Sequence, residues 1–137
     1  NRVIVSTTGE EFVICDRGDG MGTNLLAAAG IKMLILSKEK NAVVSSRGKK
    51  LNIEVIQGCD DKLPELIKWL QKNNVDAKQA AYIGNDINDL ECLSHVEIAV
   101  IPADAHHSVV ETATWILRHN GGRGAIREFA DVLLGNR

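Results

Sequence analysis

The chain has 137 residues, a net charge of −2 and a sequence pI of about 6.1. This charge gives no strong basic field that would hold nucleic acid or an anionic membrane, and the apolar runs are too short to span a bilayer. The length suits a single domain, expected over 1–137, and the three isolated cysteines are expected to be reduced, mostly buried thiols of a cytoplasmic protein.

Short strands and helices alternate along the sequence. Residues 2–15 predict a β-hairpin, because two β-branched, apolar segments flank a turn that contains Gly9. A helix is expected over 19–29, with Asp19 as its N-cap and Gly30 as its stop. Further strands are predicted at 31–37, 53–57, 80–84, 97–101 and 114–118, and further helices at 40–50, 61–73, 86–94, 106–112 and 125–134.

This order predicts an α/β fold of the Rossmann-like, doubly wound type, in which an open parallel sheet carries helices on both faces. The continuous apolar run at 31–37 is typical of a strand that is buried on both faces. In such sheets ligands bind beyond the carboxyl ends of the strands. The residues that directly follow each strand are therefore the first candidates for chemistry.

Two of these strand ends carry side chains that suit a phosphate. Ser37 follows the first parallel strand, where a hydroxyl can donate to a phosphate oxygen; the alternative is that it only caps the next helix. Lys62 follows the second strand near the start of a helix, where the helix dipole disfavours a cation. Its ammonium is expected to face a bound phosphate, and the alternative is a solvated surface lysine.

The third strand ends in YIGNDINDL (82–90), which places Asn85, Asp86, Asn88 and Asp89 within five residues. Clustered carboxylate and amide oxygens suit a hard cation such as Mg²⁺. The alternative is a helix N-cap at Asn85 or Asp86, with Asp89 as the acidic half of a loose capping box. Together with the hydroxyl and the lysine, the cluster predicts a site for phosphate and metal.

The hydroxyl, the lysine and GNDIND, in this order, resemble motifs II, III and IV of the haloacid dehalogenase superfamily of phosphotransferases. LILSKEKN, QGCDDK, VIPADAH and GGRGAIREFA are also similar to a small branch without a cap domain. That branch contains 3-deoxy-manno-octulosonate 8-phosphate phosphatase, nonulosonate 9-phosphate phosphatases and the C-terminal domain of many acylneuraminate cytidylyltransferases. The resemblance covers essentially the whole chain.

The resemblance implies a role for each matching residue. Ser37 would bind the transferring phosphoryl group, and Lys62 would neutralise it. Asn85 would be a direct Mg²⁺ ligand. Asp89 would hold the metal shell through water or orient Lys62, and Asp86 would flank both.

The resemblance also suggests how the substrate is recognised. Glu39 stands where the nonulosonate phosphatases carry glutamate, and Arg47 and Lys50 match the helix of that type. From a single helix, Glu39 would bind the amide, hydroxyl or ammonium end of the sugar, and the two cations would bind its carboxylate; the alternative is that all three form a solvated helix face. GGRG at 121–124 resembles a flexible glycine loop near the mouth of the active site, and Arg123 in it would contact the substrate.

The function implied is Mg²⁺-dependent hydrolysis of a sialic-acid-type (nonulosonate) sugar 9-phosphate through a phosphoaspartate. The protein would be a homotetramer, with the hairpins at its centre and no nucleic-acid or membrane partner. The nucleophile motif D-x-D is expected on a central strand upstream of Asn1, and it is not in the sequence.

Asn85 also replaces the aspartate of most active members of the branch. The alternative function is therefore a catalytically impaired oligomerisation domain of an acylneuraminate cytidylyltransferase, which makes CMP-sialic acid. A doubly wound binding domain of the response-regulator kind is a third, weaker alternative.

Overall fold

The computed structural model describes residues 2–135, so the predicted domain extends past the described residues at both ends. The strands are β1 (Val3–Val5), β2 (Glu11–Val13), β3 (Leu34–Leu36), β4 (Glu54–Ile56), β5 (Ala81–Ile83), β6 (Ile98–Ile101) and β7 (Trp115–Ile116). The α-helices are α1 (Arg17–Ala28), α2 (Val43–Leu51), α3 (Lys62–Lys72), α4 (Leu90–His95) and α5 (Ala125–Leu133). Shorter 3₁₀ turns lie at Ala77–Gln79, Ile87–Asp89 and His107–Thr112. The predicted α/β class is confirmed, and residues 2–135 leave no segment for a cap domain.

The parallel strands form two groups. β3 pairs with β4, with Ile35 opposite Val55, and β5, β6 and β7 form a second parallel group in that order. Among residues 2–135, β3 and β5 do not pair with each other, so each keeps one edge free. The sheet predicted as one open sheet is therefore divided between β3 and β5 in the part of the chain that is described.

The core lies on both faces of β6. On one face Val100 packs with Leu26 of α1 and Phe129 of α5. Ile101 points to the opposite face, because successive residues of a strand alternate, and there it packs with Leu93 of α4. These five side chains are at most 5% exposed. The β5–β6–β7 group is thus the part of the sheet that is covered by helices on both faces.

β3 has less cover than its sequence suggests. Its residues are only half-buried, so the prediction of a strand buried on both faces is wrong for 31–37. The physical reason is the division of the sheet, because the free edge of β3 borders a cleft and not another strand.

The hairpin is confirmed, with Ile4 opposite Phe12 in an antiparallel register. Ile4 is 55% exposed and Phe12 is 54% exposed, and every other residue of the two strands is exposed as well. A cluster of exposed apolar side chains of this kind marks an interaction surface more often than free surface.

The start of α1 differs from the prediction. The helix begins at Arg17 and its N-cap is Asp16, whose Oδ1 accepts the backbone N–H of Asp19 at 2.9 Å. Asp19, predicted as the cap, is buried and directed at another helix. The predicted stop at Gly30 is confirmed, since this glycine has a φ of 78° just after the last turn.

Two further expectations concern the cysteines and membrane-spanning helices. Cys15 is exposed, Cys59 is half-buried and Cys92 is buried, so the expectation of mostly buried thiols is wrong. In the residues described, no helix combines the length and the apolar character that crossing a membrane requires.

Candidate active site

A cleft of about 420 Å³ opens between β3 and β5, at the carboxyl ends of both strands. This is where the sequence placed the chemistry. The cleft is lined by six of the predicted site residues, which are Ser37, Glu39, Arg47, Lys62, Asn85 and Asp89. Three segments that are far apart in the sequence therefore meet at one place.

Lys62 and Asp89 form a buried ion pair in this cleft. The Nζ of Lys62 lies 2.7 Å from Oδ1 of Asp89, and the two side chains are only 8% and 5% exposed. Lys62 is the first residue of α3, and Asp61 before it makes no side-chain cap. The alternative of a solvated surface lysine is wrong, because burial and pairing hold the ammonium inside the site.

Asp89 accepts three more hydrogen bonds besides that from Lys62. The hydroxyl of Tyr82 donates to Oδ1 at 2.8 Å, and the backbone N–H groups of Asn85 and Asp86 donate to Oδ2 at 2.9 Å and 3.3 Å. Both carboxylate oxygens are thus engaged by the protein. Of the two roles expected for Asp89, its contacts support the orientation of Lys62.

The surroundings of Asp89 favour its charged form. Burial alone raises the pKa of Asp89, but the hydrogen bonds from Lys62, Asn85 and Tyr82 and the charge of Lys62 outweigh it, so the pKa is lowered. Burial raises the pKa of Tyr82, and the charge of Asp89 raises it further. Tyr82 is therefore a neutral donor to Asp89 at neutral pH, a contact that the sequence did not suggest.

Gly84 makes room for this network. A Cβ on Gly84 would lie 2.5 Å from the Cβ of Asp89 and 2.8 Å from its Cγ, which no side chain tolerates without displacing the carboxylate. The glycine of the GNDIND motif is therefore required by the close approach of Asp89 to the end of β5. That requirement is steric, because Gly84 is not among the glycines with positive φ.

Ser37 is fixed at the end of β3 by the backbone. Its N–H donates to the carbonyl of Ile56 at 2.9 Å, and its Oγ accepts the N–H of Glu39 at 3.1 Å. The hydroxyl therefore stabilises a turn in the loop before α2, and the alternative that Ser37 caps the next helix is wrong, because the N-cap of α2 is Ala42. A hydroxyl that accepts one hydrogen bond still has its own O–H to donate, so the phosphate role stays compatible with this contact.

The predicted helix 40–50 begins later than expected. α2 begins at Val43, whose N–H donates to Oδ1 of Asn41 at 3.0 Å. Glu39 therefore lies in the loop before α2, where its Oε1 accepts the N–H groups of Lys40 and Asn41 at 2.8 Å and 2.9 Å. The prediction that Glu39 shares a helix with the two cations is wrong, although it borders the cleft.

The predicted substrate residues occupy different positions. Arg47 lies in the wall of the cleft and donates through Nη2 to the carbonyl of Asp16 at 3.1 Å. Lys50 is exposed and is not among the residues that line the cleft. The sequence missed Glu11, which reaches the cleft from the hairpin and accepts a hydrogen bond from Asn41 at 3.3 Å. No motif could have found it, because its place depends on how the hairpin lies.

Asn85 and Asp86, the other two residues predicted to hold a metal ion, directly precede the 3₁₀ turn after β5. The backbone of Asn85 is held on both sides, since its N–H donates to Asp89 and its carbonyl accepts the N–H of His106 at 2.8 Å. One oxygen of Asp86 accepts the N–H of Ile87 at 2.7 Å. Asp86 is the N-cap of the 3₁₀ turn and forms a capping box with Asp89, so the alternative expected for this cluster is present, and Asp86 is not among the residues that line the cleft. Within residues 2–135 no group of three or more His, Cys, Asp and Glu side chains is arranged to hold a metal ion.

This donor set fits part of a Mg²⁺ site. Mg²⁺ in phosphate sites is usually held by one or two carboxylates, by waters and by the phosphate itself. The amide oxygen of Asn85 and one carboxylate oxygen of Asp86 are ligands of this kind, but only the second carries charge. At least one further carboxylate is needed to complete the set.

A smaller cavity of about 160 Å³ adjoins the cleft, and Asn85 lines both. Its other walls include Gly84, Asp104 and the first two residues of the glycine loop, the name used here for residues 121–124. Arg123 in this loop is exposed and is not part of the cavity wall. The glycine loop thus lies beside the site, as the sequence predicted, with its arginine directed elsewhere.

Comparison with known proteins places this architecture in a family. The profile of the haloacid dehalogenase-like hydrolases matches residues 28–129. The chain therefore belongs to the haloacid dehalogenase-like hydrolase family, and the resemblance seen in its motifs is confirmed.

Among curated proteins, the 3-deoxy-D-manno-octulosonate 8-phosphate phosphatase KdsC of Yersinia pestis is 32% identical over 133 residues, covering 96% of this chain and 71% of that protein. The N-acylneuraminate cytidylyltransferase of Oncorhynchus mykiss is 30% identical over 137 residues, covering 97% of this chain and 32% of that protein. The chain thus spans about a third of the length of the fish enzyme.

Among solved structures, the 3-deoxy-D-manno-octulosonate 8-phosphate phosphatase of Moraxella catarrhalis, in complex with a magnesium ion, a phosphate ion and KDO, has a TM-score of 0.93. It is 29% identical to this chain, with coverage of 99% of this chain and 79% of that one. The Rossmann-like fold without a cap domain is thereby confirmed.

Proposed function

We propose that the chain forms the phosphate- and metal-binding part of a Mg²⁺-dependent phosphatase that acts on a sialic-acid-type (nonulosonate) sugar 9-phosphate. The observation that carries the proposal is the buried Lys62–Asp89 pair, which holds an ammonium in the cleft within reach of the ends of β3 and β5. A buried cation beside a hydroxyl and amide oxygens is suited to a phosphoryl group, which gathers negative charge as it transfers.

Each residue has a distinct task in this proposal. The hydroxyl of Ser37 donates to one phosphoryl oxygen, and the ammonium of Lys62 neutralises the phosphoryl charge while Asp89 keeps it in place. Asn85 and Asp86 would hold Mg²⁺, which supplies further neutralisation of the phosphate oxygens when bound. The first aspartate of the D-x-D motif would attack phosphorus in line and break the P–O bond to the sugar, whose oxygen would take a proton from the second aspartate of the motif. Water would then hydrolyse the phosphoaspartate and release phosphate.

The nucleophile requires a further strand, and we propose that it lies between β3 and β5. Two free parallel edges border one cleft there, and a strand that pairs with both would complete the sheet. Its carboxyl end would bring a D-x-D motif next to Lys62 and Asn85. If the full-length sequence has no apolar strand ending in D-x-D ahead of the hairpin, this phosphatase mechanism fails.

We assign substrate recognition to the rim of the cleft. Arg47 would bind the carboxylate of the sugar, since its guanidinium already lies in the cleft wall. Glu39, whose second oxygen is not used in the loop contacts given above, would bind an amide, hydroxyl or ammonium end. Lys50 and Arg123 are exposed outside the cleft wall, so they would contact only the outer part of a long acidic sugar.

The assembly belongs to the same proposal. We expect a cytoplasmic homotetramer in which the apolar side chains of four hairpins pack together. The exposed strands of the hairpin support this arrangement, because they are apolar and lie away from the core.

A second function is favoured by one residue. Asn85 offers an oxygen without charge at the position proposed for a direct ligand, which weakens metal binding. In a protein of the cytidylyltransferase type the chain would then serve as an oligomerisation domain with little or no turnover. The similarity to the fish cytidylyltransferase is consistent with this alternative.

Phosphate release separates the two functions. The full-length protein should be assayed with nonulosonate 9-phosphates and with 3-deoxy-manno-octulosonate 8-phosphate, each with and without Mg²⁺. Release that depends on Mg²⁺ and is fastest with a 9-phosphate supports the phosphatase. No release above background from any of the 9-phosphates would rule it out and favour the oligomerisation domain.

A further inference from the structure

Asp19 is a buried carboxylate that connects two helices. It lies in the first turn of α1 and is 8% exposed. Its Oδ1 accepts hydrogen bonds from the backbone N–H groups of Ile126 at 2.9 Å and Arg127 at 3.2 Å, and its Oδ2 accepts that of Gly124 at 3.3 Å. These donors form the beginning of α5, so a side chain of α1 caps a helix 105 or more residues later in the chain.

α5 has no side-chain cap of its own, because its N-cap is Gly124. A negative charge is favoured at a helix N-terminus, and among residues 2–135 the ion pairs do not include Asp19. Gly22, one turn further along α1, lies so close that a Cβ on it would be 2.8 Å from the Cα of Arg127. The two helices therefore touch backbone to backbone, which directs Asp19 at the start of α5.

Two other carboxylates hold the segment that leads into α5. Asp104 accepts the N–H of Gly121 through Oδ1 at 2.8 Å. Glu128, in the first turn of α5, accepts the N–H of His119 at 3.0 Å and lies 2.8 Å from its Nδ1. The glycine loop is thus held at its first residue by Asp104 and at its last by Asp19.

The glycine loop and Asn85 both line the smaller cavity. We infer that Asp19 is a positioning residue: by capping α5 it fixes the glycine loop against the ends of β5 and β6, so that the loop is a rigid wall of the site. This differs from the flexible loop that the sequence suggested. The part of the inference that concerns turnover rests on the proposed function, whereas the part that concerns the loop rests on these contacts alone.

Hydrogen exchange of the full-length protein, followed by mass spectrometry, tests the loop. Asp19→Ala removes all three hydrogen bonds, and Asp19→Asn keeps the shape of the side chain but loses the charge. Asp76→Asn is the matched control, because Asp76 also accepts a backbone N–H at a helix start, from Lys78 at 2.8 Å, but does so away from the site. We expect the amides of 121–127 to exchange about tenfold to a hundredfold faster in Asp19→Ala, with β5 and β6 unchanged.

The less disruptive Asp19→Asn decides the outcome if Asp19→Ala does not fold, and we expect faster exchange in 121–127 there as well. The inference is overturned if exchange in that segment equals that of the wild type, or if it rises evenly through α1, α5 and the sheet. Asp76→Asn should leave 121–127 at the wild-type rate. A rise there in this control would also overturn the assignment.

Kinetics then test the effect on the site. With the full-length protein and a 9-phosphate substrate, we expect Asp19→Asn to raise KM several-fold with a smaller change in kcat, because the wall moves while Lys62 and Asp89 stay paired. Unchanged KM at a full folded fraction would mean that Asp19 stabilises the fold only. If the wild type releases no phosphate, the proposed function fails, and the exchange experiment still decides whether Asp19 fixes the loop.

Discussion

The Nζ of Lys62 lies 2.7 Å from Oδ1 of Asp89, although the two residues are 27 positions apart in the sequence. The pair joins the first residue of α3 to the 3₁₀ turn after β5, and both side chains are buried. A buried charge that loses its partner is strongly destabilising, whereas the intact pair holds its geometry. The ammonium therefore keeps a fixed position in the cleft before any ligand arrives.

Replacing Lys62 should stop phosphate release without dissociating the oligomer. Lys62→Ala removes the only ammonium among the residues that line the cleft, and we expect phosphate release to fall at least about a hundredfold. Lys68→Ala is the matched control, since Lys68 is on the same helix and pairs with Glu65 at 2.7 Å but is 69% exposed. Light scattering should give the same mass for both variants. Dissociation of Lys62→Ala would show that the residue is structural.

The hydroxyl of Tyr82 should affect both stability and turnover through its hydrogen bond to Asp89. Tyr82→Phe removes one donor from a buried carboxylate, which we expect to cost about 1.5–3 kcal/mol in the free energy of unfolding. Because Asp89 then holds Lys62 less firmly, kcat should fall with little change in KM, and urea unfolding together with steady-state kinetics measures both. A loss of stability with unchanged kcat would mean that Tyr82 only supports the fold.

Restoring a charge at the metal position should strengthen metal binding. In Asn85→Asp a second carboxylate joins Asp86, and we expect the Mg²⁺ concentration for half-maximal phosphate release to fall about tenfold. Asn88→Asp adds the same charge three residues later at an exposed position and should change this value little. Equal Mg²⁺ dependence in Asn85→Asp and the wild type would remove Asn85 from the metal site.

Glu128 gives the stability a defined pH dependence. Burial raises its pKa, but the N–H groups of Arg118 and His119 outweigh this effect and the pKa is lowered. A lowered folded-state pKa means that the contribution is fully present above the ordinary glutamate value of about 4.3 and is lost as the pH falls through the folded-state value.

Glu128→Gln should therefore be less stable than the wild type by about 1–3 kcal/mol at pH 7. The difference should shrink as the pH falls from about 5 to about 3, where Glu128 itself becomes protonated. Urea unfolding across this range measures it. A difference that grows between about pH 5 and about pH 3 would contradict the sign.

The hairpin should control assembly. Phe12→Lys places a charge among the exposed apolar side chains of β1 and β2, and we expect it to lower the mass measured by light scattering. Val132→Lys is the control, because Val132 is 59% exposed on α5, outside the hairpin. If both variants keep the mass of the wild type, the hairpin is not the interface.

The sequence predicted the elements well because their signals are local. Alternating apolar runs and glycine stops located the strands and most helices, and the motif after β5 indicated the site. Helix boundaries were predicted less accurately where a side-chain contact fixes the first residue. The start of α2 at Val43 is an example, because the N–H of Val43 donates to Asn41. The division of the sheet agrees with the central strand that the resemblance implies and the sequence does not contain, whereas no local pattern in β3 or β5 records which strands pair with their edges.

For the site, the type and order of residues were enough to bring Ser37, Lys62 and Asn85 to one cleft, and their roles stay predictions. The hydrogen-bond partners of the site residues could not be predicted, because a hydrogen bond between distant segments produces no recognisable spacing in the sequence. Tyr82 looked like an ordinary strand residue, and Asp19 looked like the cap of its own helix although it caps another. Lys50 lies one turn after Arg47, close to the end of α2, and is exposed outside the cleft wall.

The free edges of β3 and β5 also affect how residues 2–135 would behave in isolation. An unpaired strand edge is a template on which any other extended segment can add, including one from a second copy of the same chain. Helices and loops shield most of the second group, but the half-buried β3 has little such protection. A protein produced with exactly these residues should therefore aggregate on concentration or mild heating, and its yield would depend on dilution more than on buffer.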